Sequence, residues 1–406
     1  MERRSFIEMF VAGAVGFTGM PKTGLNSMDE IDWDEIRSQY PDSSSKLLNL
    51  NNGSAGMMPQ QVESQVIKFI SQMNRNPPYE KSEYWKKLYI KSKEILAEMI
   101  DASEDELALV RNTTEALQLV LNGYKIPENH NVVCAYHDYT HALDALTRLS
   151  KERNFKIRKV DVKMPADESE ILEAYRKLIT ANTEMVLITA MTHREGQIMP
   201  VKEIAKLAKA KGAKVLVDGA HAIGQFEHSV QDWDCDFYCT SLHKWLGGPL
   251  GTGMLYIKKD LINQVKGSCS FNDKLEDKMV KFEAVGTKSF ALYAAILSSL
   301  RYHQSIGTKN KHERLMELTD YWTDAIRRIP MAKTIVPNKY GGIANFHYPG
   351  PSTAILNFFK SKNIHFKKVR ALNNNRTTYR ISPNVYHNFK DLDRFIEDFH
   401  EFSKRI

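Results

Sequence analysis

Two residues suited to covalent chemistry on small molecules stand at the ends of short apolar runs. The run Val215–Val217 ends on Asp218, and the run Phe237–Thr240 leads through Ser241 to Lys244. Short apolar runs bounded by polar residues are typical of buried strands, and open α/β sheets bind ligands outside the carboxyl ends of their strands. A partly desolvated lysine can form a Schiff base, and an aspartate can hold a ring nitrogen protonated. The alternative is a loop-capping Asp218 and a solvated Lys244.

The residues around this pair resemble the cofactor site of class V aminotransferases, which are fold-type-I enzymes that use pyridoxal 5'-phosphate (PLP). Asp218-Gly219-Ala220-His221 matches the family element D-x-A-[HQ], and Ser241-Leu242-His243-Lys244 matches S-x-H-K. The resemblance implies that Lys244 forms the Schiff base and moves the Cα proton. It also implies that Asp218 keeps the ring nitrogen protonated and that His221 lies on the ring-hydroxyl side.

A helix start after the run Leu107–Val110 predicts an anion site, because free backbone N–H groups and the helix dipole both face an incoming charge. Asn112 and Glu115 have the spacing of a capping box, which by itself indicates a helix N-terminus and nothing more. The family has its phosphate-binding loop here. The resemblance therefore implies that the phosphate is contacted by Thr113, Thr114, Ser241, His243 and Thr287.

Further segments resemble the parts of the family site that hold the ring and the substrate. Tyr139 aligns with a residue that stacks on the pyridine face, although an aromatic side chain can simply cover a strand end. His193 stands where an asparagine commonly touches the ring hydroxyl, which is a departure from the family pattern. Arg380, in Arg380-Ile381-Ser382, matches the arginine that grips the substrate carboxylate, and its planar fork suits a bidentate contact. Asn52 lies in a segment that the resemblance implies crosses the substrate pocket, and it is expected to contact the substrate.

The periodicity indicates an α/β fold. Strand and helix patterns alternate from Leu107 to Asp218, which predicts a doubly wound, mostly parallel sheet. The resemblance implies the PLP-dependent transferase fold type I, with a large domain over residues 61–300 and a smaller C-terminal α/β domain over 301–406. An N-terminal arm is expected over 28–60. Apolar spacing predicts helices over 62–73 and 84–100, the second with Ile90, Ile95 and Leu96 on its buried side.

Composition restricts the classes of partner. The chain has 406 residues, 42% of them hydrophobic, and a net charge of +7 from 56 basic and 49 acidic residues. Its basic residues are dispersed, which favours solvated helix faces over a nucleic-acid surface. The four cysteines lack metal-ligand spacing, so we expect no metal. The expected partners are a small-molecule amino-acid substrate and, because the segment with Gly286-Thr287 reaches the opposite subunit in the family, a second copy of the chain.

The N-terminus resembles a twin-arginine export signal. Arg3 and Arg4 precede an aromatic residue and a modest apolar segment that ends at Phe17, and this segment is too short to span a bilayer stably. Glu8 and the lack of an A-x-A cleavage site speak against a signal. Residues 1–27 are therefore either an export signal, which implies a periplasmic protein, or the disordered tail of a cytoplasmic one.

The reaction is less closely defined than the cofactor. A desulfurase of this family needs a nucleophilic cysteine shortly before the carboxylate arginine, and no cysteine follows Cys269. The stretches RNTTEAL, DGAHA and SLHKW are most similar to the isopenicillin N epimerase branch. Racemisation or epimerisation at Cα is thus expected, with transamination or C–S lysis as alternatives within the family. A PLP-binding sensor is the alternative outside enzymes.

Overall fold

The centre of the molecule is a seven-stranded sheet made from the short apolar runs of the sequence. The computed structural model describes residues 31–41, 46–77, 83–267, 273–370 and 377–405. The predicted export signal over residues 1–27 lies outside these ranges. The strands are β1 (Leu48–Asn49), β2 (Leu107–Val110), β3 (Asn131–Ala135), β4 (Lys156–Val160), β5 (Thr183–Thr189), β6 (Lys214–Asp218), β7 (Phe237–Ser241), β8 (Gly253–Ile257), β9 (Lys333–Ile335), β10 (Ala344–His347), β11 (Ile364–His365), β12 (Lys367–Arg370) and β13 (Thr377–Ile381).

The central sheet has the order β2-β8-β7-β6-β5-β3-β4. Strands β3 to β7 pair in parallel, and β8 runs antiparallel to both β7 and β2. The predicted mostly parallel α/β sheet is therefore confirmed. Because β5, β6 and β7 are neighbours and parallel, their last residues Thr189, Asp218 and Ser241 lie at one edge of the sheet.

Helices cover the sheet on both faces. They are α1 (Trp33–Ser38), α2 (Gln60–Arg75), α3 (Glu83–Ile100), α4 (Thr113–Gly123), α5 (Thr140–Arg153), α6 (Glu168–Leu178), α7 (Val201–Lys209), α8 (Phe290–Ile306), α9 (Thr308–Arg327), α10 (Ser352–Ser361) and α11 (Phe389–Ser403). Alternate strand residues such as Leu187, Leu216 and Phe237 join α4 and α5 in one apolar cluster. Helix α7 contacts β5 and β6 without sharing in that cluster, so it covers the opposite face.

The predicted buried face of α3 was partly wrong. Ile95 and Leu96 are 5% and 0% exposed, as expected, but Ile90 is 47% exposed. With 3.6 residues per turn, five residues advance a helix by about 140° beyond a full turn, so Ile90 and Ile95 cannot share a face. Ile90 instead lines a surface groove together with Trp85 and Lys288.

The smaller C-terminal domain has its own sheet and core, as predicted. Its four strands pair antiparallel in the order β12-β13-β10-β9. Aromatic residues from α9, β10, α10 and α11, including Trp322, Phe346, Phe359 and Phe395, pack against it. This packing fixes β13, the strand that carries Arg380. Helix α8 runs through residue 300, and the predicted boundary there stays a prediction.

The N-terminal segment ties the two sheets together. Strand β1 pairs in parallel with β11 of the smaller domain, and Asn51 forms an isolated bridge with Ser382. A few residues later, Gly56 N donates to His243 O at 2.9 Å, next to Lys244. The segment expected to cross the substrate pocket therefore runs from the arginine strand to the lysine loop. No helix in the described ranges is both long and apolar enough to cross a bilayer.

Candidate active site

A cavity of about 320 Å³ opens at the carboxyl ends of β5, β6 and β7. Its volume is in the range of small-molecule sites, which is roughly 300–1,000 Å³. Ten of the predicted site residues line it, each at a strand end, in a loop, at the N-terminus of α4 or on the smaller sheet: Thr113, Thr114, Tyr139, His193, Asp218, His221, Ser241, His243, Lys244 and Arg380. Residues distant in sequence are thus brought to one place.

Asp218 supplies the cavity with a buried carboxylate. It is the last residue of β6 and 3% exposed, and its Oδ1 accepts a hydrogen bond from Ala220 N at 3.0 Å. Burial raises the pKa of this carboxyl group, while the hydrogen bond from Ala220 and the charge of Lys244 act in the opposite direction. A buried carboxylate of this kind is stabilised by a positive partner, such as a protonated ring nitrogen.

Lys244 is the half-buried amine of the site. Burial lowers its pKa from the usual 10.5 to about 8, although the charge of Asp218 partly opposes the shift. A lysine with such a pKa has a substantial neutral fraction near neutral pH, and the neutral amine is the form that attacks a carbonyl or accepts a proton. The Nζ atom lies 3.4 Å from His221 Nε2.

His221 is held in one tautomer by its neighbour Trp245. The indole Nε1 of Trp245 lies 3.1 Å from His221 Nδ1. An indole N–H can only donate, so Nδ1 accepts and the ring proton is on Nε2, which faces Lys244. Burial lowers the pKa of His221 well below its usual value and keeps the ring neutral. His221 can therefore donate one hydrogen bond from Nε2 into the cavity.

The backbone around Lys244 is fixed from two sides. A Cβ atom on Gly56 would lie 2.0 Å from the carbonyl oxygen of Lys244, so the close approach requires glycine. Lys311, from α9, donates a hydrogen bond of 2.5 Å to the carbonyl oxygen of Trp245. Lys311 is buried, and burial lowers its pKa to about 7. Both contacts restrict the position from which Lys244 enters the cavity.

The predicted phosphate end of the site lies at the N-terminus of α4. Asn112 caps this helix, because its side chain accepts a hydrogen bond from Glu115 N. The Glu115 carboxylate accepts a hydrogen bond from Arg111 N instead of from Asn112 N, so the reciprocal capping box is absent. Ser241 Oγ lies 2.7 Å from Thr113 Oγ1 and accepts from Thr113 N at 3.0 Å. Two hydroxyl groups and a helix N-terminus thus face one point, as an anion site requires.

His243 also lies at the phosphate end of the cavity, and a contact with a backbone carbonyl group determines its tautomer. Its Nδ1 is 3.1 Å from the carbonyl oxygen of Thr252, which can only accept, so Nδ1 carries the proton. Burial lowers the pKa of His243, which favours the neutral ring. In this form Nε2 is an acceptor and cannot donate to a phosphate oxygen. The predicted phosphate contact of His243 would thus require protonation of the ring.

Tyr139 and His193 meet across the cavity. Their ring centroids are 5.7 Å apart with the planes at 89°, an edge-to-face pair. Burial lowers the pKa of His193 well below its usual value, with the charge of Arg194 as the next cause. His193 Nδ1 is buried without a hydrogen-bond partner among the described residues. This ring can therefore contact a ligand in place of the asparagine that is usual in the family.

Arg380 forms the opposite end of the cavity and is 1% exposed. Its guanidinium donates to three neutral oxygens: His193 O at 2.7 Å, Asn51 Oδ1 at 2.9 Å and Ser54 Oγ at 3.0 Å. Its Nε is buried with no partner among the described residues. Burial lowers the pKa of Arg380 to about 10, so it remains a cation at neutral pH. A desolvated cation with an unused donor is suited to a carboxylate.

Two predicted residues do not line the cavity. Asn52 is fully buried, and its side chain accepts from Tyr386 Oη and donates to the carbonyl oxygens of Asn49 and Ser382. The structure places its neighbours Gly53 and Ser54 in the lining instead. Thr287 is exposed on the surface beyond Gly286, away from the lining of its own cavity. The predicted role of Thr287 in the site of a second subunit stays a prediction.

Sequence reasoning missed several lining residues: Gly53, Ser54, Asn112, Thr189, Ala220 and Lys367. Thr189 could have been found, because it is the last residue of β5 and so lies at the same sheet edge as Asp218. Its Oγ1 donates to Asp138 Oδ1 at 2.7 Å, and burial raises the pKa of that carboxyl to about 7. Lys367 enters from the smaller sheet, where no local sequence signal marks it.

Fold and site together define a class of protein. A lysine with a lowered pKa, a buried carboxylate and a helix N-terminus at the strand ends provide the groups that bind the aldehyde, the ring nitrogen and the phosphate of PLP. The residues of the cavity therefore fit PLP, and the arrangement is that of a fold-type-I PLP-dependent enzyme.

The chain belongs to the class V aminotransferase family, because the family model "Aminotransferase class-V" matches residues 48–395. Isopenicillin N epimerase of Streptomyces clavuligerus is 24% identical over 90% of this chain and 97% of its own length. Several other relatives are named cysteine desulfurases.

Two solved structures show the same fold. The apo cysteine desulfurase of Thermococcus onnurineus NA1 has a TM-score of 0.83 and 22% identity, over 93% of this chain and 100% of that chain. A C-DES mutant with glycine covalently linked to its PLP cofactor has a TM-score of 0.81 and 17% identity, over 90% of this chain and 98% of that chain.

Proposed function

We propose that this enzyme removes the proton from the Cα atom of an amino-acid substrate and allows a proton to add to either face of that carbon, as a racemase or epimerase. The observation that carries the proposal is that one cavity holds Lys244, with a pKa of about 8, together with the buried cation Arg380. The first can accept and return a proton near neutral pH, and the second can hold the substrate carboxylate in a fixed place.

Each residue has a role that follows from its contacts. PLP, when bound, supplies an electron-withdrawing ring that makes the Cα proton of an attached amino acid acidic. Asp218 would hold the proton on the ring nitrogen, and Thr113, Thr114 and Ser241 would bind the phosphate. Lys244 moves the Cα proton, while the Nε2–H group of His221 donates beside it.

The cysteines argue against sulfur transfer through a thiol. No cysteine follows Cys269 in the chain, so none stands shortly before Arg380. The cysteines of the described ranges, Cys134, Cys235 and Cys239, are buried, and burial raises the pKa of each thiol. A buried thiol with a raised pKa is a poor nucleophile. The similarity to an epimerase over 97% of that protein supports inversion at Cα instead.

Transamination and C–S lysis are the alternatives within the family. The relatives named cysteine desulfurases favour a sulfur-containing substrate, and C–S lysis needs no cysteine on the enzyme. Incubation of the PLP-loaded protein with L-amino acids in deuterated water separates the reactions. Deuterium at Cα with loss of chirality supports the proposal. A keto acid product would indicate an aminotransferase, and released sulfide with pyruvate would indicate a lyase.

The assignment of this protein as a PLP-dependent enzyme has a spectroscopic test. The PLP-loaded protein should show the visible absorbance of a Schiff base, and Lys244→Ala should lose it because the amine is removed. Persistence of that absorbance in the variant would indicate a binding module that does not use the lysine. A Schiff base that depends on Lys244, with no exchange on any amino acid, would support a PLP-binding sensor.

We further propose that the enzyme is a homodimer. The groove beside Gly286 is lined by Trp85, Ile90, Val280 and Phe290, and it opens next to the exposed Thr287. An apolar surface at this point supports the prediction that Thr287 contacts the phosphate end of a second subunit. Sedimentation of the PLP-loaded protein tests the assembly. A monomer at micromolar concentration would contradict it.

A further inference from the structure

Lys367 places a second cation directly beside Arg380. The two residues are register partners on the antiparallel strands β12 and β13, and both line the cavity. Directly opposed residues on neighbouring strands have Cβ atoms about 5 Å apart, and like charges in such pairs are destabilising. Lys367 is exposed to solvent, which screens part of this repulsion, and a negative charge bound between the two cations would relieve the rest.

The protein supplies no such charge in the described ranges. Asp218 is the one carboxylate among the cavity-lining residues, and it lies at the end of β6, on the central sheet. The hydrogen-bond acceptors around Arg380 are neutral oxygens. Within the described part of the chain, the side chain of Lys367 makes no hydrogen bond or ion pair. The ammonium group of its strand neighbour Lys368 donates to Ser352 Oγ at 2.8 Å.

A third cation, Arg194, lies near this pair but outside the cavity lining. Burial raises the pKa of the adjacent Glu195 carboxyl group, and the charge of Arg194 partly opposes that rise. Arg194 lies close enough to lower the pKa of both Lys367 and His193, and its Nη1 is buried without a partner among the described residues. The buried atoms Arg380 Nε and His193 Nδ1 likewise have no hydrogen-bond partner among the described residues. One substrate carboxylate can satisfy Arg380 but leaves Lys367 unpaired. The two cations that line the side of the cavity away from Asp218, Arg380 and Lys367, can thus pair with more than one negative group.

We propose that Lys367 binds a second carboxylate of the substrate, so that the enzyme selects dicarboxylic amino acids. This inference rests on the proposed function, in which Arg380 holds the α-carboxylate. The second carboxylate pairs with the ammonium group of Lys367 and relieves its repulsion with Arg380. Lys367 is then the residue that separates acidic substrates from neutral ones of the same length.

Calorimetric titration of the PLP-loaded protein with unreactive acids tests this binding apart from catalysis. Glutarate should bind at least about 10-fold more tightly than butyrate, which has one carboxylate fewer, since a charged hydrogen bond is worth about 1.5–3 kcal/mol and each 1.4 kcal/mol is tenfold. Lys367→Met should abolish this preference by weakening glutarate binding much more than butyrate binding, and Lys367→Arg should keep most of it. Lys368→Met is the matched control, because consecutive strand residues point to opposite faces.

Equal binding of glutarate and butyrate, or a glutarate preference that survives in Lys367→Met, would overturn the inference. Failure of the proposed reaction would give a different pattern of results. Deuterium exchange at Cα should be faster with glutamate than with the near-isosteric glutamine. Exchange with neutral amino acids but no glutarate preference refutes the role of Lys367 alone. A glutarate preference lost in Lys367→Met, with no exchange on any amino acid, supports that role and refutes the proposed reaction.

Discussion

Lys311 is a buried cation whose energetic effect can be calculated from its surroundings. It is 2% exposed, and its ammonium donates to the carbonyl oxygen of Trp245, the residue after Lys244. No carboxylate forms an ion pair with it in the described ranges, and burial lowers its pKa from 10.5 to about 7. Lys311→Met replaces the cation with an apolar side chain of similar length and removes the hydrogen bond.

The size of the effect on the free energy of unfolding follows from the difference in the Lys311 pKa between the folded and unfolded states. Between pH 7 and pH 10.5 the unfolded chain keeps the Lys311 proton while the folded protein releases it, so the free energy of unfolding rises with pH in this window. At about 1.36 kcal/mol per pKa unit, the full effect is roughly 5 kcal/mol, of which about 2 kcal/mol falls between pH 7 and pH 9. Methionine binds no proton, so the variant lacks this rise. The unpaired carbonyl of Trp245 costs the variant about 1–3 kcal/mol at every pH.

Urea unfolding of the cofactor-free protein, followed by tryptophan fluorescence at pH 7, 8 and 9, measures the effect. We expect Lys311→Met to be about 2 kcal/mol more stable than the parent protein at pH 7, where the parent still bears most of the cost of its buried charge, and about as stable as the parent at pH 9. Lys309→Met, on the exposed side of the same helix, should show no pH-dependent difference. If the stability difference between parent and Lys311→Met is the same at pH 7 and pH 9, the buried ammonium is not the cause.

Three further outcomes are expected. Gly56→Ala should lower the free energy of unfolding by about 1–3 kcal/mol, because its Cβ would meet the Lys244 carbonyl at 2.0 Å; an unchanged melting temperature would contradict this. Trp245→Phe should slow Cα exchange by about 2- to 10-fold and shift the ring ¹⁵N resonances of His221, because the bond fixing its tautomer is lost; unchanged shifts would exclude that role. The rate of PLP uptake by the cofactor-free protein should rise with pH and level off above about pH 8, as Lys244 becomes neutral; a pH-independent rate would refute the lowered pKa.

The cofactor half of the site was predictable because parallel strands end at a common edge. Asp218 and Ser241 each close an apolar run, so the sequence order of runs and polar residues is enough to place them together. Thr189 follows the same rule and could have been included. His221 was found through its motif, but its tautomer was not, because the Trp245 contact depends on how the loop after β7 folds back.

The substrate half was less predictable for a geometric reason. Residues 51–54 form a turn in which Ser54 N donates to Asn51 O at 3.0 Å, so neighbouring residues face different surroundings and an error of one residue exchanges a buried position for a lining one. Asn52 was predicted to contact the substrate, yet its side chain turns to Tyr386 while Gly53 and Ser54 line the cavity. Lys367 depends on the register between β12 and β13, which no local pattern in the sequence specifies.

The same segment joins the two halves of the site. Asn51 and Ser54 accept hydrogen bonds from Arg380, and Gly56 packs against the backbone of Lys244. Both ends of the segment are fixed by backbone contacts, since Asn52 N donates to Ser382 O at 3.1 Å and Gly56 N donates to His243 O at 2.9 Å. The separation between the amine that moves the proton and the cation that holds the carboxylate therefore depends on a few residues of one chain segment. A shift of this segment should consequently change which substrates can reach Lys244 and Arg380 together.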